Sequence, residues 1–384
     1  MAINIDDLRR QARRRLPRAV FDFGDGGAED EQTLRANSHD FQRIVFRPRT
    51  LVDVSRRDQT TTILGQQVSS PLILAPIGMC GMFAPRGEIL AARAATRRGI
   101  ISALSTLGAC SIEDVAASTS GPLWFQLYVM KDRDLTRSLV ERAQAAGYRA
   151  LCLTVDLPVL GQRERDLRNG ATIPPKITVR NVVDTMRRIG WLRGVLFGPR
   201  ITFGNFVGAS ADLGSNAISL WQYIGQQNDA SVDWDDLDWF RSIWRGPLAI
   251  KGVMTGEDAR RAVDAGVNAI IVSNHGGRQL DSLPSAIEVL PEIVDAVGRE
   301  AEVILDGGIR RGSDVVKALC LGARACMMGR PYLYGLAANG QAGAERAIEI
   351  IQTEIDRTLA LIGRPTLADL DRSAIRLAGS FGAG

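Results

Sequence analysis

His275 sits in the run SNHGGRQLD (273–281), three residues ahead of Arg278. One loop therefore offers an imidazole that can take a proton and a guanidinium that can hold a carboxylate. A lone histidine is commonly a satisfied core or turn residue, but this one closes the apolar run AIIVSNH (269–275) and is followed by two glycines, which favours catalysis. Asp156 ends ALCLTVD (150–156) and can fix the imidazole tautomer and stabilise its charged form, as the acid of a triad does; otherwise it caps a turn or helix. Lys251, inside LAIKGV (248–253), is costly to bury without an anionic partner, unless it snorkels from a rim. Tyr128 offers a hydroxyl to a substrate oxygen or simply packs. Arg163, in LGQRERD (160–166), is either a second carboxylate clamp or an exposed charge.

Two further runs, DGGIRRGSD (306–314) and MGRP (328–331), are glycine-rich and basic and lead into helix-like stretches. Backbone N–H groups at such a place can cradle a phosphate, although glycines also serve tight turns. No GxGxxG follows the first strand with an acidic residue beyond it, which disfavours a Rossmann dinucleotide site.

The elements that must position these residues are short apolar runs that each end in a polar or glycine-containing turn. They are 71–78, 100–106, 123–129, 150–156, 248–253, 269–275, 302–308 and 325–330, mostly separated by Ala-rich helical stretches such as 256–266 and 312–322. Buried parallel strands read as continuous apolar runs, so eight strand–helix alternations predict an α/β fold, a closed (β/α)8 TIM barrel, with a doubly wound open sheet as the second choice. Barrel active sites lie at the C-terminal strand ends, and every strand contributes a polar or glycine residue there. The seventh and eighth strands, where barrels commonly hold phosphate, carry the two glycine-rich runs. Residues 157–247 form an insertion much longer than a usual βα loop, residues 1–70 are expected to make an N-terminal helical cap, and 341–384 to be closing helices. All are assigned to one domain spanning 1–384, with the barrel core at about 71–340.

Of the 384 residues, 45% are hydrophobic and 23% charged, as in a folded globular protein. An excess of four positive charges and a pI near 8.9 permit an acidic substrate, an anionic membrane or nucleic acid without choosing among them. Five cysteines without CxxC spacing and only two histidines argue against a metal site or a disulfide framework. The charged start lacks an apolar signal core, and no run of eighteen apolar residues occurs, so the expected location is cytoplasmic, either free or at the inner face of the cell membrane.

Together these motifs resemble the FMN-dependent 2-hydroxy acid dehydrogenase and oxidase family, from GGAEDEQTL (26–34) through LAPIGMCGM (74–82), WFQLYV, LTVD, IKGV, SNHGGRQLD and DGGIRRGSD to GRPYLYGLA (329–337). The resemblance covers nearly the whole chain, and SNHGGRQLD ahead of DGGIRRGSD is highly specific. It implies oxidation of a small L-2-hydroxy acid with FMN as cofactor, with His275 as base and Asp156 its partner. Arg163 and Arg278 bind the carboxylate, and Tyr128 contacts substrate. Lys251 would lie at the flavin N1 and O2 edge. Pro76, Ile77, Gly78, Ser105, Gln126, Thr154 and Ser273 would hold the ring and ribityl chain, and Asp306, Gly307, Gly308, Arg310, Gly329 and Arg330 the ribityl and phosphate end. The resemblance also suggests a homotetramer.

The sequence departs from the family at Phe23, where a substrate-facing Tyr is usual, and carries Leu107 where glycolate oxidase-like members have Trp. Both changes point to a more apolar pocket and a substrate larger than glycolate, lactate-like or mandelate-like. The acceptor is a quinone, another electron carrier or, in an H2O2-forming oxidase, O2; an unusual substrate is a further alternative. Within the insertion, 176–200 holds six basic residues and one acidic residue, with Val182, Met186, Ile189, Leu192 and Leu196 on one helical face. Membrane mandelate and lactate dehydrogenases carry their membrane segment in this region, so 176–215 is a candidate for peripheral membrane contact, with an oligomer contact or a mobile loop as alternatives. A nucleic-acid module is disfavoured, because the basic stretch has few aromatics for base stacking and such a module would not explain polar strand ends.

Overall fold

A computed structural model describes residues 1–170, 178–207 and 227–378. Eight parallel strands, numbered β1 to β8, close into a barrel in sequence order. They are β1 (Leu72–Leu74), β2 (Ile101–Ser105), β3 (Leu123–Leu127), β4 (Ala150–Thr154), β5 (Leu248–Val253), β6 (Ala269–Val272), β7 (Glu302–Asp306) and β8 (Ala325–Met328). Each falls inside a run expected from the sequence, and closure removes the open-sheet alternative. A helix follows every strand, and several begin where a side chain accepts an otherwise unpaired N–H: Ser111, Asp132 and Thr255 each cap the helix that follows them.

The sheet carries two apolar layers. Outward residues such as Leu74, Phe125, Leu153 and Ile270 pack under the helices, while Ile73, Ala103, Trp124, Ala150, Ala249 and Ile304 belong to a separate cluster filling the barrel. Small side chains leave room for the large Trp124, whose indole N–H donates to Gln66 Oε1 at 3.1 Å. Gln66 belongs to the hairpin Thr61–Ile63 with Gln66–Val68, whose Ile63 and Val68 join the same inner cluster.

The N-terminal segment is less purely helical than expected. Helices Ile5–Arg15, Arg18–Asp25 and Gln32–His39 are followed by Ile44–Phe46, which pairs antiparallel with Ile375–Leu377 near the other end of the chain. Helix Ile5–Arg15 buries Ile5, Leu8 and Ala12 at helical spacing and packs on the long helix Arg330–Leu361, kinked at Asn339 and Gly340. The closing region is therefore the end of one kinked helix plus short turns and a strand.

The face expected across 176–200 is also interrupted. Two helices, Val179–Met186 and Ile189–Phe197, meet at Arg187 and Arg188, and neither contains a buried residue. Val182, Met186, Ile189 and Leu196 are exposed, whereas Leu192 is half-buried. Residues 171–177 and 208–226, which include parts of the proposed membrane segment, lie outside the described residues.

One buried carboxylate joins the loops at the barrel mouth. Glu88, in helix Gly87–Arg97, accepts the backbone N–H of Cys80 at 2.9 Å, after β1, and of Ala109 at 2.7 Å, after β2. Burial pushes its pKa up. Glu88→Ala leaves two buried N–H groups unpaired and is expected to lower unfolding free energy by about 2–4 kcal/mol, whereas Glu88→Gln keeps an acceptor and should lose under about 1.5 kcal/mol. Denaturant unfolding of both variants measures this, and an alanine variant as stable as the parent would show that the two amides need no clamp.

Candidate active site

The C-terminal strand ends open into a chamber of about 570 Å3, within the range typical of ligand pockets. His275 follows β6 with a left-handed backbone, φ +58°. Its Nδ1 lies 2.7 Å from Asp156 Oδ1, just beyond β4. The carboxylate thus accepts the Nδ1 proton and leaves the Nε2 lone pair facing the chamber, with the Tyr128 hydroxyl 3.4 Å away. Burial pushes the imidazole pKa below its ordinary value, against the raising influence of Asp156, so the ring is neutral and basic near pH 7. For Asp156, burial raises the pKa, but His275 and Lys251 together outweigh it and keep the carboxyl below its usual value.

Asp156 can approach because Gly252, at φ +111°, interrupts the β5–β6 register; a Cβ there would stand 2.6 Å from Asp156 Cβ. Lys251 Nζ is 3.1 Å from Asp306 Oδ2, 3.9 Å from Asp156 Oδ2, and donates to Ser273 Oγ at 2.9 Å. The rim alternative for this lysine is thereby removed: it is buried among two carboxylates. Ser273 in turn donates to Asp306 at 2.8 Å and accepts the His275 backbone N–H at 3.0 Å.

Arg163 and Arg278 are both in the chamber wall. Arg278 donates to the Phe23 and Gly26 carbonyls at 2.7 and 3.1 Å, with its guanidinium 5.3 Å from the Phe23 ring centre. Arg163 donates to the Arg278 carbonyl and Gln279 Oε1 at 3.3 and 3.4 Å. Burial depresses both pKa values, Arg278 strongly, with Arg163 and Arg330 adding repulsion. Two half-desolvated cations beside a neutral imidazole suit an anionic substrate.

The opposite side fits the flavin cofactor. Gln126 accepts the Ser105 hydroxyl at 3.0 Å through Oε1, but its buried Nε2 has no partner, and neither has the buried Thr154 hydroxyl, among the described residues. Buried polar groups ordinarily find partners, so these two donors fit the polar edge of a heterocycle. Pro76, Ile77 and Gly78 line the same chamber, as do Gly307, Gly308, Arg310 and Gly329. Gly308, at φ +79°, has no space for a Cβ, which would lie 1.9 Å from the Asn37 carbonyl. The Arg330 guanidinium donates to the Gly24, Gly26 and Gly276 carbonyls at 3.2, 2.8 and 3.0 Å, so its contribution to an anion is the backbone at the start of helix Arg330–Leu361.

The sequence reading missed the group that fastens this wall. Asp25, 5% exposed, accepts Arg9 at 2.6 and 2.8 Å, the Tyr334 hydroxyl at 2.7 Å and Arg165 at 3.1 Å. Burial pushes its pKa up, but Arg9 and Tyr334 prevail and bring it down to about 2. Nothing in FDFGDGG marks Asp25 apart from a turn residue. The insertion supplies Leu157, Val159, Leu160, Arg163, Phe203 and Asn228 to the chamber. The five cysteines are buried and unpaired. Among the described residues no cluster has metal-ligating composition, and no helix is long and apolar enough to cross a membrane.

The family model of FMN-dependent dehydrogenases matches residues 12–377. An L-lactate oxidase from Nostoc sp. is 46% identical over 379 residues, covering 98% of each chain. An L-lactate dehydrogenase from Caulobacter sp. is 44% identical over 372 residues, covering 96% of this chain and 97% of the relative. A crystal structure of the monotopic membrane protein (S)-mandelate dehydrogenase superposes with a TM-score of 0.94 at 41% identity, over 98% of this chain and 99% of the other. With the barrel, the paired His275 and Asp156 and the orphaned buried donors of Gln126 and Thr154 already in place, the chain belongs to the FMN-dependent dehydrogenases and oxidises a 2-hydroxy acid with FMN as its cofactor.

Proposed function

We propose that the substrate is an L-2-hydroxy acid with an aryl or long alkyl group at C2, and that the electrons pass to a quinone at a membrane face. The observation that carries the substrate reading is the wall of the chamber that holds His275, to which Phe23, Leu107, Leu157, Val159, Leu160 and Phe203 add apolar surface and in which Phe23 lacks the hydroxyl that a smaller acid would use. The acceptor reading is supported by the two insertion helices, which expose Val179, Val182, Val183, Met186, Ile189, Leu196 and Phe197 among arginines. Apolar surface of this extent, rimmed by positive charge, suits an anionic bilayer. The likeness to a monotopic mandelate dehydrogenase agrees with both readings.

FMN, when bound, takes up the electron pair that leaves C2 of the substrate. Gln126, Thr154 and Lys251 would hold its ring, with Ser105 and Ser273 orienting them, and Asp306, Gly307, Gly308, Arg310, Gly329 and the Arg330 backbone its ribityl phosphate. Arg163 and Arg278 hold the substrate carboxylate in bidentate fashion, and Tyr128 meets the C2 oxygen. His275 Nε2 takes one proton from the substrate, whether from the hydroxyl or from C2, and Asp156 stabilises the resulting imidazolium without leaving its place. We assign these steps to one catalytic domain built from both chain ends, the barrel and the insertion.

Anaerobic absorption spectroscopy of the FMN-loaded protein tests this reading: L-mandelate should bleach the flavin band faster than L-lactate and far faster than glycolate, and a soluble quinone should restore it faster than air. Fast recovery in air would make the protein an oxidase, and absence of bleaching by any L-2-hydroxy acid would end the substrate assignment. Because the base acts when neutral and burial lowers its pKa, kcat/KM should fall only on the acid side of the ordinary imidazole value of about 6.5. Asp156→Asn removes an influence that raises this pKa, so the acid limb should move lower still while kcat drops by about 10^2- to 10^4-fold. A limb that stays in place would dissociate Asp156 from the base. Phe23→Tyr restores a hydroxyl near the carboxylate site and should lower KM for L-lactate about tenfold, with little gain for L-mandelate; equal gains for both would place Phe23 away from size selection.

A further inference from the structure

We infer that a second cavity, under helix Ile189–Phe197, is the docking site of the electron acceptor, a lipid-soluble quinone, and that Phe83 is the partition between it and the flavin chamber. The inference rests on the quinone reading above and adds the place of docking. The cavity measures about 410 Å3 and is lined by Met82, Ile89, Leu90, Trp191, Val195 and Leu336. That size and apolar character suit a ring with part of an alkyl tail. Arg86, Arg200 and Asn339 at its margin are donors for the two quinone oxygens.

Three features connect this cavity to the reaction. Phe83 is the one described residue that lines both spaces, which makes it the shared point of the wall between them. That ring is buried, with its centre 6.5 Å from the Phe23 ring, and Gly24 admits it, since a Cβ at Gly24 would stand 2.7 Å from Phe83. Finally, the roof is the same helix that forms part of the exposed apolar surface. Trp191 and Val195 line the cavity while Ile189, Leu196 and Phe197 are exposed, at 59%, 65% and 87%. The Trp191 indole N–H donates to the Met82 carbonyl at 2.7 Å, fixing the roof to the loop that carries Phe83. A molecule dissolved in a bilayer against that helix could reach the cavity without crossing water.

The step balances as a two-electron transfer. Two electrons pass from the reduced flavin across Phe83 to the quinone while the flavin side releases two protons to water and the quinone takes up two protons from water, so its two carbonyl oxygens become hydroxyls and the oxidised flavin is restored. The two half-reactions then use opposite sides of Phe83, so the carboxylate pocket of Arg163 and Arg278 need not open to an apolar molecule.

The test uses the FMN-loaded protein with decylubiquinone as probe. Binding is read as quenching of tryptophan fluorescence, with Trp191→Phe expected to lose much of the quench. Val195→Trp and Ala337→Phe fill the cavity from two different helices. Each should weaken decylubiquinone binding, and raise its KM, at least tenfold, while anaerobic bleaching by the 2-hydroxy acid and reoxidation by ferricyanide stay within about twofold of the parent. A filled variant that bleaches normally yet keeps parental quinone affinity overturns the inference. A parent protein whose flavin is bleached but never reoxidised by quinone overturns the acceptor reading instead, and the two failures are read from separate measurements.

Discussion

Lys251 lies at the centre of the barrel mouth with 4% of its surface exposed, held between Asp306 and Asp156 and hydrogen-bonded to Ser273. An ammonium placed there alone would forfeit its hydration for nothing. Burial does lower its proton affinity, but the two carboxylates more than reverse this and keep it charged. The consequence propagates. The lysine helps Asp156 stay ionised, ionised Asp156 holds the Nδ1 proton of His275, and the Nε2 lone pair is left facing the chamber. The same lysine, with burial, disfavours the imidazolium before substrate arrives. Removing Lys251 would leave two buried carboxylates without their cation, at a penalty of about 3–5 kcal/mol, so the network constrains stability and chemistry together.

The network spans four adjacent strand ends, β4 to β7, and a parallel register brings them level: Thr154 is paired with Lys251 across β4 and β5. The barrel alone does not complete the site, because His275 and Arg278 lie in a loop beyond β6. That loop is held by the N-terminal arm. Asp281 accepts the Gln32 and Thr33 N–H groups at 3.1 and 2.8 Å, Asn37 and Asn274 exchange side-chain hydrogen bonds, and Ala28 N–H donates to the Gly277 carbonyl at 2.8 Å. Asp25 fixes the start of this arm through Arg9, Tyr334 and Arg165. A segment expected to be a cap is thus a fastening for the catalytic loop, and it sets Phe23 beside Arg278.

The eight strands and the strand-end residues could be read from the sequence because both follow from local rules: continuous apolar runs for strands buried on two faces, and polar residues where those runs stop. His275, Asp156, Lys251 and the glycine-rich turns all fall at such ends. What could not be read was partnership across distant segments. Glu88 is an acidic residue in an ordinary first helical turn until two loops bring their amides to it, and Asp25 is a turn residue until Arg9 folds back. The family resemblance puts Arg330 at the phosphate end, yet its guanidinium is occupied by three carbonyls that only tertiary approach supplies. The break at Arg187 and Arg188 likewise reflects packing choices that a helical wheel over 176–200 does not contain.

In the proposed mechanism, the arrangement of the two arginines would join substrate binding to catalysis. Arg163 and Arg278 each hydrogen-bond to neutral oxygens, and burial opposes the charge on both. Like charges in a desolvated wall repel, and the buried side chain of Asp166 offsets this only in part, its own pKa raised by burial. A substrate carboxylate supplies the missing negative charge at the place where the field asks for it. Its arrival would also weaken the positive field around His275, to which Arg163 contributes, and so make the imidazole a better proton acceptor once substrate is seated. An alcohol of the same shape without the carboxylate would bring neither effect. On the proposed reading, the preference for 2-hydroxy acids would lie in electrostatics that act on the base as well as on binding, while the apolar wall of Phe23, Leu107 and Phe203 would act on the remainder of the molecule.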